Sequence, residues 1–344
     1  MTPIFIVSTG RCGSTMLSDM VLRHPDLLSV SEFFTSLSSK AFVNSRADLT
    51  GEAVYQRLNR LSPGGRALLK NGLYPDEFLY TRESGGRYRP EEVPPILCAT
   101  LPHLSADSHE ELWDELASVI RSRPGGALAD HYRFVFEWLA HRFGKKTWIE
   151  RSGGSLLCVP ALARLFPDAR FVHIYRDGRD TAMSMYRHPF FRLRVQAARL
   201  LQRVGMNPFT PFNVPGTSPW MPYFEWLRFQ FFSGERYRRM AIDLPSFGWF
   251  WSCAIEQGVD FLETLPSDRV LSMRYEAVVA SPEQELRRFI RFVGHEFEDP
   301  DWLETVSALP KARPRAWQRL PADEQVRLAE ACGPGQRRLG YDDV

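Results

Sequence analysis

The octapeptide STGRCGST, at residues 8–15, has the residue types of an anion-binding turn. It follows the apolar run PIFIVS and precedes an amphipathic stretch, which together predict a strand, a tight turn and a helix. Gly10 and Gly13 allow backbone N–H groups to converge on an anion, and the N-terminus of the helix adds partial positive charge. The alternative is a plain strand-to-helix connection with Ser14 as the N-cap. The turn also contributes one cation, one thiol and two hydroxyl groups, from Arg11, Cys12, Ser14 and Thr15.

A second anion-binding pattern lies in RFVHIYRDGRDTAMSMYRH, residues 170–188. Here a predicted strand ends at Arg176, turns, and enters a helix that carries Ser184 about two turns in. Ligands bind at the carboxyl edge of open parallel sheets, so both side chains are expected to face the same crevice. A guanidinium and a hydroxyl group together suit a second phosphate. The alternative is an Arg–Asp surface pair and a helix serine bonded to its own backbone.

The elements that must position these residues are short β-branched or aromatic runs alternating with longer helical stretches. This alternation predicts a three-layer α/β fold of the P-loop type, with a central parallel sheet flanked by helices. Helices are expected near residues 48–61 and 108–123, and the Gly/Pro-rich stretch between them, 62–95, is predicted to be a surface excursion. The predicted strands are residues 3–8, 27–30, 147–150, 170–176 and 269–273.

The composition is that of an ordinary globular protein. The chain has 344 residues, of which 44% are hydrophobic and 24% charged, and its net charge is +2. No basic excess indicates nucleic acid as a partner, so any basic site is local. The five cysteines are far apart and form no Cys-x-x-Cys pair, which favours a reduced compartment and no metal site. No apolar stretch approaches the roughly 20 residues of a membrane span, and we expect a cytoplasmic protein.

Two longer regions are predicted to be additions to the basic fold: a helical and loop excursion over 41–145 and an aromatic-rich helical insert over 192–251. In the insert, Trp226, Phe229 and Phe232 recur at helical spacing with Arg228 and Arg236 opposite, which favours core packing for part of the region. The remainder is interpreted as a candidate lid over a bulky apolar or aromatic acceptor. Core packing alone and a membrane-surface helix are the competing interpretations.

Taken together and in this order, the motifs resemble those of the sulfotransferases that use 3′-phosphoadenosine 5′-phosphosulfate (PAPS). TGRCGST is similar to the family's 5′-phosphosulfate loop, and YRDGRDTAMS is similar to its 3′-phosphate motif, whose Arg and Ser fall on Arg176 and Ser184. RVLSMRYEAVVASPEQELRRFIRFVG resembles a strand and helix of the family, and ARPRAWQRL resembles its closing segment. In that segment, Arg313, Arg315 and Trp317 either close over the 3′-phosphate and adenine or form a solvated basic turn.

The segments RHPDLLSVSEFF and IERSGG look most like tyrosylprotein sulfotransferases and related bacterial enzymes. This resemblance implies one sulfotransferase domain over 1–344, with Glu32 as the general base and Arg151 as the cation that steadies the bridging oxygen of the donor. A lysine is common at the position of Arg151; arginine keeps the charge but cannot donate a proton. The alternatives are that Glu32 caps the helix starting at Phe33 and that Arg151 pairs with a sheet-edge carboxylate.

The resemblance further implies PAPS as co-substrate, the 3′,5′-bisphosphate PAP as product, and no metal. Arg11 and Arg151 would neutralise the charge that grows on the leaving phosphate, while Glu32 removes the acceptor proton. A transferred sulfuryl group carries less charge than a phosphoryl group, which accounts for a loop without the usual lysine. The expected partner is a small-molecule, lipid or peptide hydroxyl acceptor, with peripheral membrane contact left open and no nucleic acid.

Two other functions compete with this hypothesis. A P-loop kinase using ATP and Mg²⁺ would employ Asp177 as its metal-binding acid, but the turn is two residues shorter than G-x-x-x-x-G-K-[ST] and has no lysine. A non-catalytic nucleotide-binding protein would keep both anion motifs but would not need Glu32. Both hypotheses predict binding without sulfuryl transfer.

Overall fold

Five parallel strands form the central sheet of the computed structural model, which describes residues 1–42, 48–80, 85–209, 229, 232–312 and 314–341. Their order across the sheet is β2-β5-β1-β6-β7. The five strands predicted from the sequence are confirmed, each to within a residue at either end. They are β1 Ile4–Val7, β2 Leu27–Ser31, β5 Thr147–Arg151, β6 Arg170–Tyr175 and β7 Val270–Arg274, and a separate antiparallel pair is formed by β3 Asp48–Leu49 and β4 Gly126–Ala127.

Alternate residues of the central strands bury their side chains on opposite faces of the sheet. On β1, Phe5 packs into one apolar cluster with Trp148 of β5, whereas Ile4 and Ile6 pack into a second cluster with Ile149. All of these side chains are buried, as expected for a parallel sheet covered on both faces. The predicted three-layer α/β fold is confirmed.

The helices that cover the sheet begin and end as follows. The α-helices of the described ranges are α1 Ser14–Leu22, α2 Phe33–Leu37, α3 Gly51–Asn59, α4 Pro63–Lys70, α5 Pro95–Cys98, α6 Thr100–Leu104, α7 His109–Arg121, α8 Leu128–Arg142, α9 Val159–Leu165, α10 Gly178–Arg187, α11 Pro189–Arg203, α12 Gly234–Arg238, α13 Leu244–Leu262, α14 Tyr275–Ala280, α15 Pro282–Val293, α16 Pro300–Ser307 and α17 Ala322–Arg338. None of them is both long and apolar enough to cross a bilayer.

The segment 62–95 departs from its predicted role. The prediction of a surface excursion is wrong for part of it, because α4 lies inside the segment and Leu68, Leu69, Tyr80 and Val93 are buried. Tyr80 is fixed by a hydrogen bond from its hydroxyl to Glu110 Oε1 at 2.5 Å. Much of the insert over 192–251 lies outside the described residues, including Trp226 and Arg228. Phe229 and Phe232 are described, and their rings pack 5.7 Å apart.

The parallel arrangement places the loops after β1, β2, β5, β6 and β7 at one edge of the sheet. Each candidate catalytic or anion-binding residue of the first two motifs lies in one of those loops or on the helix that follows it, with Ser14 and Thr15 on α1 and Ser184 on α10. This edge is where open α/β sheets bind their ligands.

Candidate active site

The turn between β1 and α1 has the backbone of an anion cradle. Gly10 and Gly13 have φ values of 82° and 96°, in the left-handed region that favours glycine. A Cβ atom on Gly13 would lie 2.4 Å from Cδ2 of Tyr275, so no larger residue fits there. Gly13 is the N-cap of α1, and no side chain of the described residues caps that helix. The alternative with Ser14 as the N-cap is therefore wrong, and the first N–H groups of α1 have no side-chain cap within the described ranges.

Arg11, at the top of this turn, connects the two predicted anion motifs. Its Nε donates a hydrogen bond to Ser184 Oγ at 3.1 Å. Its Nη1 donates to Glu77 Oε1 at 2.7 Å, and Asp76 lies 3.8 Å from Nη2. A carboxylate from the segment after α4 therefore binds the cation that the sequence assigns to the phosphosulfate.

The arginine of the second motif is oriented by Asp180 and Tyr275. Arg176 follows β6 directly, and its Nη2 lies 3.3 Å from Asp180 Oδ2 on the first turn of α10. Its guanidinium also lies over the ring of Tyr275, 4.8 Å from the centroid. Arg176 Nε is buried and has no hydrogen-bond partner among the described residues. The side chain is thus oriented from two sides and retains a donor that a bound anion can satisfy.

Glu32 and Arg151 form a buried ion pair where β2 and β5 end. The side chains are 5% and 3% exposed, and Arg151 Nη1 donates to Glu32 Oε1. The other oxygen of Glu32 accepts a hydrogen bond from the backbone N–H of Gly153 at 3.0 Å. Glu32 has a φ of 57° and does not cap α2 with its side chain, so the capping alternative is wrong. The sheet-edge carboxylate that pairs with Arg151 is Glu32 itself.

All of these groups face one cavity of about 850 Å³. Its wall includes the predicted residues Gly10, Arg11, Gly13, Ser14, Thr15, Glu32, Arg151, Arg176 and Ser184. The cavity therefore combines two sets of anion-binding groups with one buried carboxylate–guanidinium pair.

Comparison with models of protein families gives matches over much of the chain. The family model described as "Sulfotransferase family" matches residues 3–206, which is more than half of the chain. The chain belongs to the sulfotransferase family. A second family model, "Sulfotransferase domain", matches residues 160–312. The prediction of a PAPS-dependent sulfotransferase is confirmed, and the family implies PAPS as the donor.

The individual relatives described next are at most 25% identical to this chain. Carbohydrate sulfotransferase 7 of Rattus norvegicus is 25% identical over 394 residues, covering 98% of this chain and 73% of the relative. The sulfotransferase domain from the curacin biosynthetic pathway is 17% identical with a TM-score of 0.48, covering 99% of this chain and 98% of that one. The sulfotransferase domain of the Synechococcus PCC 7002 olefin synthase is 18% identical with a TM-score of 0.45, covering 100% and 96%. The narrower likeness to tyrosylprotein sulfotransferases stays a prediction.

Some predicted donor-binding residues of this sulfotransferase lie away from the cavity wall. Cys12 is buried beneath the turn, with its Sγ 3.3 Å from the carbonyl oxygen of Ile174. Trp317 is buried under the guanidinium of Arg179, which lies 4.0 Å from its ring centroid. Arg315 is exposed just before Trp317, and Arg313 lies outside the described residues. Their assignment to the donor stays a prediction, and Lys311 is the tail cation that does line the cavity.

Asp177, the metal-binding acid of the kinase hypothesis, makes hydrogen bonds to other protein groups. Its side chain accepts hydrogen bonds from the Nη2 of Arg179 at 2.7 Å and the Nε2 of Gln336 at 3.2 Å. It also accepts one from the backbone N–H of Arg179 at 2.8 Å, as the N-cap of α10. Asp177 is buried and does not line the cavity. These contacts fasten α17 to α10 and leave the carboxylate turned away from the anion-binding groups.

Three ionisable groups around the site were not predicted from the sequence. Glu77 bridges Arg11 and His188, with Oε2 2.9 Å from His188 Nε2. Burial alone would raise the pKa of Glu77, but the hydrogen bond from His188 and the charges of His188 and Arg11 lower it to about 2. His103, on α6, also lines the cavity, and Glu150 lies one residue before Arg151. Glu77 and His103 are far along the chain from the motifs, and Glu150 lies inside a strand. The local sequence therefore did not distinguish these residues as part of a site.

Glu150 is a fully buried carboxyl group that supports the loop carrying Glu32. Ser152 Oγ donates to Glu150 Oε1 at 2.6 Å and accepts from the backbone N–H groups of Phe34 and Thr35 at 3.0 and 3.2 Å. Glu150 Oε2 has no partner among the described residues. Burial, reinforced by the charge of Glu32, raises the pKa of Glu150 to about 8. The group is therefore neutral at pH 7 beside the charged Glu32–Arg151 pair.

This raised pKa predicts an unusual pH dependence of stability. The ordinary pKa is 4.5, so between about pH 4.5 and 8 the folded protein holds a proton that the unfolded chain has lost. The contribution of Glu150 to the free energy of unfolding should then fall as pH rises, by at most about 1.4 kcal/mol per pH unit. Glu150→Gln should remove this slope and be more stable than the native protein at pH 8. Urea unfolding at pH 5, 6, 7 and 8 measures the free energy of unfolding of the native protein, of Glu150→Gln and of the control Glu304→Gln, which changes an exposed carboxylate. The same dependence of this free energy on pH in all three proteins would contradict the prediction.

Proposed function

We propose that this sulfotransferase moves the sulfuryl group of PAPS to a hydroxyl group of an acceptor, with Glu32 as the general base. The observation that supports this most is the shared cavity. Its wall combines the glycine turn, the Arg176–Ser184 pair and the Glu32–Arg151 pair. A nucleotide with phosphate groups at both the 5′ and 3′ positions needs two anion-binding sites, and the acceptor hydroxyl needs one base.

The residues present fit the donor. The uncapped N–H groups at the start of α1 suit the 5′-phosphosulfate, because the helix N-terminus and Arg11 both carry positive charge. Arg176 and Ser184 suit the 3′-phosphate, and the buried Nε of Arg176 still requires an acceptor. The hydrogen bond between Arg11 and Ser184 supports the proposal that the two sites are adjacent. PAPS supplies the activated sulfuryl group, and the chain supplies the anion-binding groups and the base.

The ion pair of Glu32 and Arg151 contains the group that removes the acceptor proton and the group that stabilises the charge of the leaving phosphate. Glu32 and Arg151 neutralise each other in a buried position. Arg151 would hold a phosphosulfate oxygen, since its guanidinium also has a buried Nε without a partner among the described residues. Glu32 then remains held by the N–H of Gly153 and can accept the acceptor proton. Arg151 stabilises the negative charge on the leaving phosphate but does not donate a proton to it.

The acceptor half of the cavity supports a hydrophobic or aromatic substrate. Apolar side chains just before and within α4, in the segment after it and at the start of α11 form one part of the wall: Leu61, Leu68, Leu69, Phe78, Phe190 and Phe191. An apolar wall beside a few polar groups is typical of small-molecule sites. We propose that the acceptor carries its hydroxyl on an apolar or aromatic framework.

Donor binding tests the proposal directly. A ligand present at a hundred times its Kd stabilises the folded state by about 2.7 kcal/mol, so PAP should raise Tm whereas ATP with Mg²⁺ should raise it much less. Arg176→Ala removes the cation assigned to the 3′-phosphate and should weaken PAP binding by about 10- to 100-fold, the effect of losing a charge-assisted hydrogen bond. Calorimetric titration of both proteins with PAP gives these affinities.

The matched control is Arg187→Ala, which removes an exposed arginine at the end of the same helix α10. Its PAP affinity should equal that of the native protein. Stabilisation by ATP with Mg²⁺ but not by PAP would favour the kinase hypothesis. Equal PAP affinity of Arg176→Ala and the native protein would remove Arg176 from the donor site.

A further inference from the structure

The imidazole of His103 is a buried polar group of the cavity that lacks a protein partner. Its ring lines the same cavity as Glu32 and Arg151, and its Nε2 is buried without a hydrogen-bond partner among the described residues. A buried polar atom of this kind costs folding free energy unless a ligand or water satisfies it. The edge of the ring that carries Nε2 therefore has an unmet hydrogen-bonding requirement at the proposed active site.

The ring is positioned relative to Glu32 by a specific contact. Thr100, one turn earlier on α6, donates from Oγ1 to the carbonyl oxygen of Ser31 at 2.8 Å. Residues three apart on a helix lie on the same face, so His103 projects on the side of α6 that meets the end of β2. Ser31 directly precedes Glu32. The helix that carries the imidazole is thus anchored to the strand that ends at the base.

The imidazole is held neutral. Burial, together with the positive charge of Arg151, lowers the pKa of His103 to about 4. One ring nitrogen carries a proton and the other a lone pair across the range in which enzymes usually work. His103 is therefore suited to a hydrogen bond with a neutral polar group and unsuited to binding the anionic donor.

Glu32 by itself does not define how an acceptor is oriented. Its carboxylate is fixed by Arg151 and Gly153, so it offers one point of contact to an incoming hydroxyl group. A second contact is required to hold the acceptor oxygen in line with the donor. Near the base, His103 is a polar group of the cavity wall with a vacant hydrogen-bonding position.

We propose that His103 binds a second hydroxyl group of the acceptor, next to the hydroxyl that loses its proton to Glu32. The preferred acceptor is then a vicinal diol on an apolar framework, either an aromatic ortho-diol or an alicyclic one. This inference rests on the proposed function, since it assumes that the acceptor enters beside Glu32. It narrows the acceptor from any hydroxyl compound to those with two adjacent hydroxyl groups.

Matched pairs of probe acceptors test this inference: catechol against phenol, and trans-1,2-cyclohexanediol against cyclohexanol. The kcat/KM of each is measured with labelled PAPS for the native protein, His103→Ala and His103→Gln. The native protein should favour each diol over its mono-alcohol. In His103→Ala this ratio should fall by about 3- to 10-fold, the value of one neutral hydrogen bond, and His103→Gln should restore part of it through its amide. The control is His141→Ala, an exposed histidine at the end of α8, which should keep the native ratio.

The outcomes separate this inference from the function on which it rests. An unchanged diol-to-alcohol ratio in His103→Ala overturns it, as does the absence of transfer to both diols. PAP affinity and the release of labelled sulfate to water report donor binding and sulfuryl transfer without requiring a diol. If both are present while the ratio is unchanged, only the role of His103 fails; if both are absent, the proposed function fails as well.

Discussion

Glu32→Gln is expected to lower kcat by about 10²- to 10⁴-fold, the usual contribution of a general base, while PAP still binds. The amide has nearly the same shape as the carboxylate, and its oxygen can still accept the hydrogen bond from Gly153 or from Arg151. It cannot take up the acceptor proton. Initial rates with labelled PAPS at saturating acceptor, together with calorimetric PAP affinity, separate the chemical step from donor binding.

The substitution also leaves Arg151 without its anionic partner, so the variant must be shown to be folded at the assay temperature. Circular dichroism melting of Glu32→Gln with and without PAP provides that check. Glu304→Gln, an exposed carboxylate on α16, is the control and should keep native kcat. A kcat within threefold of native for Glu32→Gln would exclude Glu32 as the base.

The central sheet was accessible from the sequence because its strands are short apolar runs between polar turns. Residues 170–176 illustrate this. Of the five positions from Phe171 to Tyr175, all except His173 are apolar or aromatic, and the polar sequence RDGR follows them. The turn at 8–15 was accessible as a strand-to-helix turn, because two glycines lie between an apolar run and an amphipathic stretch. Its anion-binding role was favoured over a plain connection only together with the motif at 170–188. Glu32 and Arg151 followed from the resemblance, and their position at neighbouring strand ends is confirmed by the pairing of β2 with β5.

Contacts made across long stretches of chain were not accessible. Glu77 is 66 residues from Arg11, and nothing in its local sequence distinguishes it from a solvated acidic residue. The Gly/Pro-rich composition of 62–95 is typical of an exposed loop. Leu68 and Leu69 are nevertheless buried, and both lie in the wall of the cavity. Glu150 was read only as the last residue of a strand, because burial of a carboxyl group cannot be inferred from a strand of five residues. Local patterns predict elements, whereas these groups owe their chemistry to tertiary packing.

Arg151→Ala is expected to lower the free energy of unfolding by about 3–5 kcal/mol, because it leaves Glu32 as an unpaired charge in a buried position. Both side chains are at most 5% exposed, so water cannot replace the lost partner without local rearrangement. Arg151→Lys keeps the charge and should cost less, although a single ammonium group does not reproduce the planar guanidinium. Urea unfolding at pH 7 measures all three proteins.

A double-mutant cycle with Glu32→Gln distinguishes loss of the ion pair from loss of packing by the long arginine side chain. If the pair is what stabilises this edge of the sheet, Glu32→Gln/Arg151→Ala should be more stable than the sum of the two single losses predicts, because no buried charge is left unpaired. Additive losses would contradict that account and assign the cost to packing. The control is Arg142→Ala, which removes an exposed arginine paired with Glu115 and should change stability by less than about 1 kcal/mol. The expected contrast between Arg151 and Arg142 follows from burial. An exposed ion pair contributes little to the free energy of unfolding, whereas breaking a buried pair leaves one charge without a partner and lowers this free energy by much more.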